Sequence, residues 1–382
     1  MKEKIAIIDP LGAHGSSFHF YVFGQAIGLS KSGLNVSIYT NNITNNPNYH
    51  RVNFYQYYKN IFHSKSRLIS GFRYVYGSIF SLFHAKFSGV KICHYHIFHV
   101  NILVFFDFLL TKLLMMKVVY TIHDVISFEN ENSKNKISNF IYNNADKILT
   151  HNSFSKDILV KTHNKIFTDI DIIPHGNYLP FLSVKKNKIK SRERLGIPKD
   201  KTILLFFGII KKVKGLEILL NALTDVISCN KDVILVIAGR VWKNDFKIYQ
   251  KIIDDNKLSD YCIIHNKFIP HEDIDYYYSS ADLVVLPYKR IYQSGVLLMS
   301  MSYEKAVLVS DLPPLKEVVR DMKTGFVFES ENIKSLSEKL NMILSDKNKL
   351  EEVQINGFNY IKSKYNWIEI GKATKESYQS IL

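Results

Sequence analysis

Residues 279–319 constrain the fold more than any other part of this 382-residue chain. The stretch starts with an apolar run from Ala281 to Pro287, long enough for a buried parallel strand and too short for a helix. A polar loop then leads to Ser294, a good helix N-cap, and to an apolar segment that ends at Tyr303. Ala306 to Ser310 is a second apolar run of strand length. This order predicts a right-handed crossover unit whose ligand side is the carboxyl end of its strands.

The loop before this helix is suited to bind a phosphate. A helix N-terminus presents unpaired backbone N–H groups and the positive end of the helix dipole. Gly295 leaves room beside those groups, and Lys289 and Arg290 stand just upstream. A crossover unit with a capped helix and no ligand explains the same residues, so that alternative stays open here.

The order of these segments resembles the donor-binding half of the GT-B glycosyltransferases, in particular the large family 4 group of bacterial cell-surface polysaccharide enzymes. The strings ADLVVLPY, KAVLVSD and LKEVVRDMKTGFVF carry the resemblance, which covers nearly the whole chain. It implies an α/β fold of two Rossmann-like domains whose parallel sheets face each other across a cleft. Many members have two glutamates eight positions apart here, where this chain has Ile291 and Met299, and it is closer to the subgroup with a Ser-Gly pair in the loop. The resemblance assigns donor binding to five consecutive residues: Tyr292, Gln293, Ser294, Gly295 and Val296.

The length of the chain favours two domains, each large enough for its own core. We predict an N-terminal acceptor-binding domain at 1–178, a polar, lysine-rich linker at 179–201 and a nucleotide-sugar-binding domain at 202–360. The remaining segment, 361–382, is expected to be a helix that crosses back to the first domain.

A glycine-containing loop follows the first predicted strand, Lys4 to Ile8. Gly12 and Gly15 allow close approach of a ligand, and Ser16 or Ser17 can cap the next helix. The spacing is not the dinucleotide-binding fingerprint, and no acidic residue follows the next strand. The resemblance implies that both glycines lie near the donor.

His123 and Asp124 follow the predicted strand Lys117 to Ile122, where an open parallel sheet places functional groups. The residues alone leave open that His123 is only a loop hydrogen-bonding group. The resemblance implies that His123 faces the transferred sugar, with Asp124 as its neighbour. The resemblance supports no such role for five other histidines: His14, His94, His96, His99 and His151.

Lysines follow the predicted strand Thr202 to Phe207 and can neutralise a diphosphate, although the residues alone slightly favour ordinary surface lysines. The family has a basic pair, usually Arg and Lys, that stabilises the leaving nucleoside diphosphate. Lys214 matches the lysine, Ile209 stands at the place of the arginine, and Lys211 is the candidate substitute. The resemblance adds four residues to the donor site: Gly208, Arg240, Phe268 and Ile269.

Two Asp-x-Asp strings, Asp169 with Asp171 and Asp273 with Asp275, have the spacing that a metal-dependent transferase of the other major fold would use. One precedes a predicted strand and the other starts a predicted helix, so we interpret both as structural. We therefore expect no metal and no other cofactor.

The net charge of +15 is concentrated at one end of the chain, because no acidic residue occurs between Asp9 and Asp107. Aromatic residues alternate with the basic ones from Tyr49 to Phe87, which suits the headgroup layer of an anionic membrane. Nucleic acid would also attract such a surface, but no nucleic-acid-binding motif accompanies it. We prefer a membrane that carries a lipid-linked acceptor, and a solvated basic face remains the structural alternative.

The apolar start of the chain is broken by Asp9 and Pro10, which argues against a signal peptide. The apolar region 97–120 contains charged residues, which argues against a membrane span. Three widely separated cysteines fit a reducing compartment. These features predict a cytoplasmic protein, peripheral at the inner face of the plasma membrane.

The predicted function is the transfer of a hexose from a UDP- or GDP-sugar to a growing lipid-linked or oligosaccharide acceptor of an O-antigen, capsule or exopolysaccharide, with retention and without metal. Three alternatives remain open. They are a nucleotide-sugar epimerase on the same fold, an inverting transferase with Asp124 as base, and a catalytically silent scaffold. The scaffold is motivated by Ile291 and Met299 at the positions of the glutamates.

Overall fold

The computed structural model describes residues 3–15, 18–125, 136–163, 170–182, 186–243 and 245–382. Three residues named in the sequence analysis lie outside the described residues: the candidate caps Ser16 and Ser17, and Asp169. The chain forms two compact units, Met1–Gly176 with Tyr365–Leu382, and Asn177–Lys364.

The first unit contains a parallel sheet with the order β3-β2-β1-β4-β5-β6-β7 in the described part of the chain. Its strands are β1 Lys4–Asp9, β2 Asn35–Asn41, β3 Val52–Tyr58, β4 Ile92–Ile97, β5 Lys117–Ile122, β6 Lys147–Thr150 and β7 Ile170–Ile172. Its helices are α1 Phe18–Lys31, α2 Arg67–Phe87, α3 Ile102–Leu113, α4 Lys136–Asn144, α5 Ser153–His163 and α14 Trp367–Gln379. The middle strands are buried along most of their length because both faces of a parallel sheet are covered.

The second unit contains a parallel sheet with the order β10-β9-β8-β11-β12-β13 among the described residues. Its strands are β8 Thr202–Phe207, β9 Val233–Ala238, β10 Cys262–His265, β11 Leu283–Leu286, β12 Ala306–Ser310 and β13 Phe326–Phe328. Its helices are α6 Lys188–Leu195, α7 Leu216–Cys229, α8 Lys247–Asp255, α9 His271–Ser280, α10 Gly295–Ser302, α11 Pro313–Lys316, α12 Ile333–Ser345 and α13 Lys347–Lys364. In both sheets the strand order reverses beside the first strand, which confirms the predicted α/β class with two Rossmann-like units.

The segment predicted as a linker, 179–201, is part of the second unit. It contains α6, which is capped by Asn187 and packs on α9. Arg192 of α6 is buried, and it donates hydrogen bonds to the carbonyl of Ser280 and to Asp282 at 3.0 and 2.7 Å. Polar composition suggested a linker, but this arginine satisfies its charge internally and holds the segment to the unit.

The last helix, α14, packs against α1 in the first unit through glycines. A Cβ added to Gly28 would lie 2.0 Å from the Trp367 carbonyl oxygen, and one added to Gly371 would lie 2.1 Å from the Gly28 carbonyl carbon. The Trp367 ring occupies the corresponding space beside Gly24 and Gly176. The two helix backbones are therefore in direct contact, and this contact requires residues without side chains.

We expect Gly28→Ala to lower the free energy of unfolding by about 1–3 kcal/mol, because the added methyl meets backbone that cannot move aside. Gly71 in α2 is a matched control, since no described atom lies within 4 Å of an added Cβ. Gly71→Ala should be neutral or stabilising by up to about 1 kcal/mol. Calorimetric melting of both variants measures the difference, and equal melting temperatures would contradict this account of the α1–α14 contact.

Candidate active site

In the second unit, loops from three strands meet at the carboxyl edge of the sheet. Gly208 follows β8 with φ +99°, and Gly239 follows β9 with φ +149°, conformations that favour glycine. A Cβ on Gly239 would lie 1.9 Å from the Gly208 carbonyl oxygen, and one on Gly208 would lie 3.3 Å from Val296 Cγ2. The structure therefore brings Gly208 together with the first turn of α10.

The lysine-rich turn lies beside the same edge. Lys214 Nζ donates a hydrogen bond to Tyr288 Oη at 2.8 Å and lies 4.3 Å from the centre of that ring. Gly215 has φ +67°, and a Cβ there would lie 1.9 Å from the Pro287 carbonyl oxygen. The turn thus packs against the end of β11, and the half-buried Lys214 is held in one direction by Tyr288.

Other predicted donor residues are more dispersed. Lys211 Nζ lies 5.7 Å from the centre of the Trp242 ring, and the Arg240 carbonyl accepts a hydrogen bond from the Ile210 N–H at 2.9 Å. Phe268 is 58% exposed in the loop after β10, followed by Ile269, and β10 is two strands from β8. Arg240 therefore lies in the loop that packs on Gly208, whereas Phe268 and Ile269 follow a strand further away in the sheet.

Helix α10 begins as predicted. Ser294 is its N-cap, and its Oγ accepts a hydrogen bond from the Leu297 N–H at 3.1 Å. Gly295 faces the Tyr178 hydroxyl, which would lie 2.8 Å from an added Cβ. Of the flanking residues, Tyr292 is buried and Gln293 is partly exposed. The cap satisfies one backbone donor of the first turn and fixes where the helix starts.

In the first unit, Gly12 and Gly15 bound a short 3-10 turn after β1. Gly12 has φ +45°, and the space beside it is filled by Thr44 Oγ1, which would lie 2.0 Å from an added Cβ. Its N–H donates to Asp9 Oδ1 at 3.0 Å. Burial raises the pKa of Asp9 to about 6, although the backbone N–H groups of Gly12 and Leu11 act to lower it. Gly12 is therefore required by the packing of its own turn, whatever else it contacts.

His123 lies at the end of β5 in a chain of hydrogen-bonded histidines. Its Nδ1 is 3.1 Å from His151 Nε2, and its Nε2 is 3.2 Å from His96 Nδ1. His151 Nδ1 is 2.9 Å from the Ile173 carbonyl oxygen, and His96 Nε2 is 3.1 Å from Gln25 Oε1. Both ring nitrogens of His123 are thus engaged. Asp124 follows it and is partly exposed.

These histidines are neutral near pH 7. Burial lowers the pKa of His151 to about 4. Burial and the neighbouring histidines hold the pKa values of His96 and His123 well below their usual range. Aromatic rings surround His123, with Phe98 stacked at 4.6 Å and the edge of Tyr21 at 5.1 Å. An apolar environment of this kind favours uncharged imidazole.

Sequence reasoning identified His123 but missed the histidines to which it bonds. The available signal was that His96 lies near the end of the apolar segment that forms β4 and that His151 directly follows the one that forms β6. Adjacent parallel strands bring such positions to one edge. His175, shortly after β7, also joins this cluster, and its ring centroid is 5.7 Å from that of His151.

The aspartates of the second Asp-x-Asp string have protein partners. Asp273 accepts a hydrogen bond from Arg194 at 3.1 Å, and Asp275 accepts one from the Tyr303 hydroxyl. Within the described part of the chain, no group of three or more His, Cys, Asp or Glu side chains is placed to hold a metal ion.

Two family models together match most of the chain. Residues 20–177 match Glycosyltransferase Family 4, and residues 187–360 match Glycosyl transferases group 1. Each match corresponds closely to one of the two units.

Curated relatives are similar at low identity. The chain is 24% identical over 282 residues to "Putative glycosyltransferase YtcC" of Bacillus subtilis, covering 68% of this chain and 67% of that protein. It is 27% identical over 216 residues to "Lipopolysaccharide 1,2-N-acetylglucosaminetransferase" of Salmonella typhimurium, covering 54% and 55%. The matches span from about half to two thirds of the length of these first relatives.

Solved structures share the whole fold. Sucrose-phosphate synthase from Thermosynechococcus elongatus superposes with a TM-score of 0.75 at 18% identity, covering 100% of this chain and 99% of that chain. Anabaena Alr3699/HepE in complex with UDP superposes with a TM-score of 0.75 at 16% identity, covering 100% of both chains. At these identities the likeness concerns the fold, which is GT-B.

We expect Ser294→Ala to lower the free energy of unfolding by about 1 kcal/mol and to weaken binding of a nucleoside diphosphate by no more than about tenfold, since the backbone amides of α10 remain. Asn332→Ala, which removes the cap of α12, is the matched control for stability and should leave affinity unchanged. Melting curves and calorimetric titration with UDP and GDP measure both effects. Unchanged affinity in folded Ser294→Ala would make this cap purely structural.

Proposed function

The chain belongs to the GT-B glycosyltransferases, with a family 4 domain followed by a group 1 domain, and from this premise we propose that it transfers a hexose from a nucleoside diphosphate sugar to a lipid-linked cell-surface saccharide. The observation that carries the proposal is that Gly208, beside the capped start of α10, and Lys214, held by Tyr288, lie on loops at one sheet edge of the second unit. An ammonium group and free helix N–H groups suit a diphosphate. In this proposal the donor binds the second unit.

The donor is proposed to be a UDP- or GDP-sugar. HepE, which shares the fold, was solved with UDP and with UDP-glucose, and this supports a nucleotide sugar as the donor. Lys211 is proposed to assist Lys214 in stabilising the charge that develops on the departing diphosphate. We further propose transfer with retention and without a metal ion, with both lysines in place of a divalent cation.

The acceptor is proposed to bind the first unit. The lipopolysaccharide N-acetylglucosaminetransferase of Salmonella is among the relatives, and it supports a saccharide acceptor of the cell envelope. His123 is proposed to contact a hydroxyl of the transferred sugar, and Asp124 lies next to it. Both follow β5, at the edge of the sheet where open parallel sheets bind ligands.

Lys214→Ala is expected to reduce turnover about 10- to 1,000-fold, because a charge aimed at the leaving group would be lost. Lys212→Ala is the matched control, since Lys212 belongs to the same turn but is exposed. The measurement is release of nucleoside diphosphate from UDP- and GDP-sugars with and without a lipid-linked acceptor. Equal rates in the two variants would contradict the role of Lys214.

The same assay tests the alternatives. Epimerised sugar would identify an epimerase, and inverted product would identify Asp124 as a candidate base. Binding without turnover in the wild-type protein would favour the scaffold with Ile291 and Met299 at the positions of the glutamates.

Helix α2 supports a membrane location for the acceptor. Its buried face consists of small residues and one leucine: Gly77, Ser78, Ser81, Leu82 and Ala85. Its exposed face carries large apolar residues, which include Leu68, Phe72, Tyr76, Phe80, Phe83 and Phe87. Such a distribution suits a helix that meets a second apolar phase.

Basic residues accompany this face. Lys65 and Arg67 are exposed at its start, and Arg73 and Lys86 are partly exposed along the helix. A groove of about 580 Å³ beside the helix is lined by Phe72, Arg73 and their neighbours. No described helix is long and apolar enough to cross a bilayer. We therefore propose peripheral binding to an anionic membrane, at the inner face of the plasma membrane, with α2 at the interface.

The double variant Phe72→Ser/Phe87→Ser should bind anionic vesicles at least about tenfold more weakly, because two exposed phenyl rings would no longer enter the interface. Ile355→Ser removes an exposed apolar side chain of α13 in the second unit and should bind as the wild type does. Co-sedimentation with phosphatidylglycerol vesicles at low and high salt measures this, and wild-type binding should weaken with salt. Equal binding to neutral vesicles would contradict the proposal.

A further inference from the structure

At one end of the histidine chain of the first unit, the direction of hydrogen-bond donation, here called the polarity of the chain, is fixed. The Ile173 carbonyl can only accept a hydrogen bond, so His151 Nδ1, 2.9 Å away, carries a proton. Neutral His151 then has a lone pair on Nε2, which accepts from His123 Nδ1 at 3.1 Å. The backbone carbonyl therefore determines which nitrogen of His123 is protonated.

The same polarity continues to the other end. His123, protonated on Nδ1, has a lone pair on Nε2, which accepts from His96 Nδ1 at 3.2 Å. His96 Nε2 is then also a lone pair, yet it lies 3.1 Å from Gln25 Oε1, another acceptor. The chain from the Ile173 carbonyl oxygen to Gln25 Oε1 contains four contacts, and each needs one proton. The three neutral rings supply only three protons.

A carboxamide, unlike a backbone carbonyl, can turn its nitrogen to the contact. With the Gln25 NH₂ group towards His96, each of the four contacts pairs one donor with one acceptor. The amide oxygen then faces His94 Nδ1, which pairs with it when that nitrogen carries the proton and His94 Nε2 accepts from the Thr121 hydroxyl. The other solution is a fourth proton on a ring. The buried, aromatic surroundings disfavour that charge, so the rotated carboxamide satisfies the chain.

We infer that His151 is a positioning residue, which the Ile173 carbonyl anchors and which holds His123 in its Nδ1–H form. The inference rests on the proposed function, in which His123 contacts the transferred sugar. A hydroxyl that approaches His123 can then only donate to the Nε2 lone pair, in place of the His96 N–H. His123 thus acts as a hydrogen-bond acceptor towards substrate and does not protonate a leaving group.

Loss of His151 should release this polarity. Without it His123 Nδ1 has no acceptor at that side, and the proton can move to Nε2 and point at His96 Nδ1. His96 would then donate from Nε2 to Gln25 Oε1 in the orientation in which those atoms already lie 3.1 Å apart. His151→Leu should therefore reverse the tautomer of His123. His151→Gln places a carboxamide near the former Nε2, but because this group can turn either its oxygen or its nitrogen to His123, it should not restore a single tautomer.

The tautomers can be measured directly in the full-length protein. Labelling of histidine with ¹⁵N distinguishes protonated from lone-pair ring nitrogens, and loss of signals in His123→Gln assigns the residue. We expect Nδ1–H for His123 at neutral pH in the wild type, Nε2–H in His151→Leu, and no single form in His151→Gln. His94→Leu removes another buried ring of the cluster but leaves the bonds from Ile173 to His96, so it should keep Nδ1–H. An Nε2–H or doubly protonated His123 in the wild type would overturn the inference, as would an unchanged tautomer in His151→Leu.

Kinetics test whether the tautomer matters to the reaction. His151→Leu should lower kcat at least about tenfold with little change in donor KM. A reversed tautomer with wild-type kcat would overturn the positioning role. If the wild-type protein turned over no donor, the proposed function would fail, whereas the tautomer measurement would still decide whether His151 sets the state of His123.

Discussion

The parallel direction of every described strand pair is the constraint on which both candidate sites depend. Parallel strands need crossover connections, and right-handed crossovers return each loop to the same edge of the sheet. In the first unit this edge collects His96, His123 and His151 from three neighbouring strands. In the second it collects Gly208 and the start of α10. The same topology therefore produces two different chemical environments, one neutral and aromatic and one cationic.

The strands that could be predicted from the sequence are those buried on both faces. β8 and β12 have the predicted bounds, because a continuous apolar run between polar residues leaves one interpretation. β3 and α2 were not predicted. β3 is an edge strand whose aromatic residues are adjacent in pairs, Phe54 with Tyr55 and Tyr57 with Tyr58, so it lacks the alternation of a half-buried strand. Helix α2 has large apolar side chains on its exposed face, so it lacks the usual pattern of an amphipathic helix. The polar composition of residues 179–201 predicted a linker, but α6 belongs to the second unit, where a buried arginine takes the place of an apolar contact.

The place of a candidate residue in the fold was predictable where it depends only on the residue's position along the chain. His123 follows a recognisable strand, and Ser294 precedes a recognisable helix. Hydrogen bonding between His123 and His151 was not predictable, because it depends on which strands become neighbours and on the direction of each ring. The same holds for Lys214, whose direction is set by Tyr288 on another loop. Met299, at the place of a family glutamate, is buried within α10, so the surroundings of this position are apolar and do not suit a carboxylate.

One stripe of α1 connects the C-terminal helix to the histidine chain. Gly24 and Gly28 on this stripe admit Trp367 and the backbone of α14, while Tyr21 and Gln25, at helical spacing from them, contact the histidines. The rings of Trp367 and Tyr21 are 5.4 Å apart. Because burial is what keeps the imidazoles uncharged, and because α14 covers α1 at these glycines, the last helix contributes to the protonation state of residues near the middle of the first unit. The glycines therefore act on the candidate site through packing, although they are distant from His123 along the sequence.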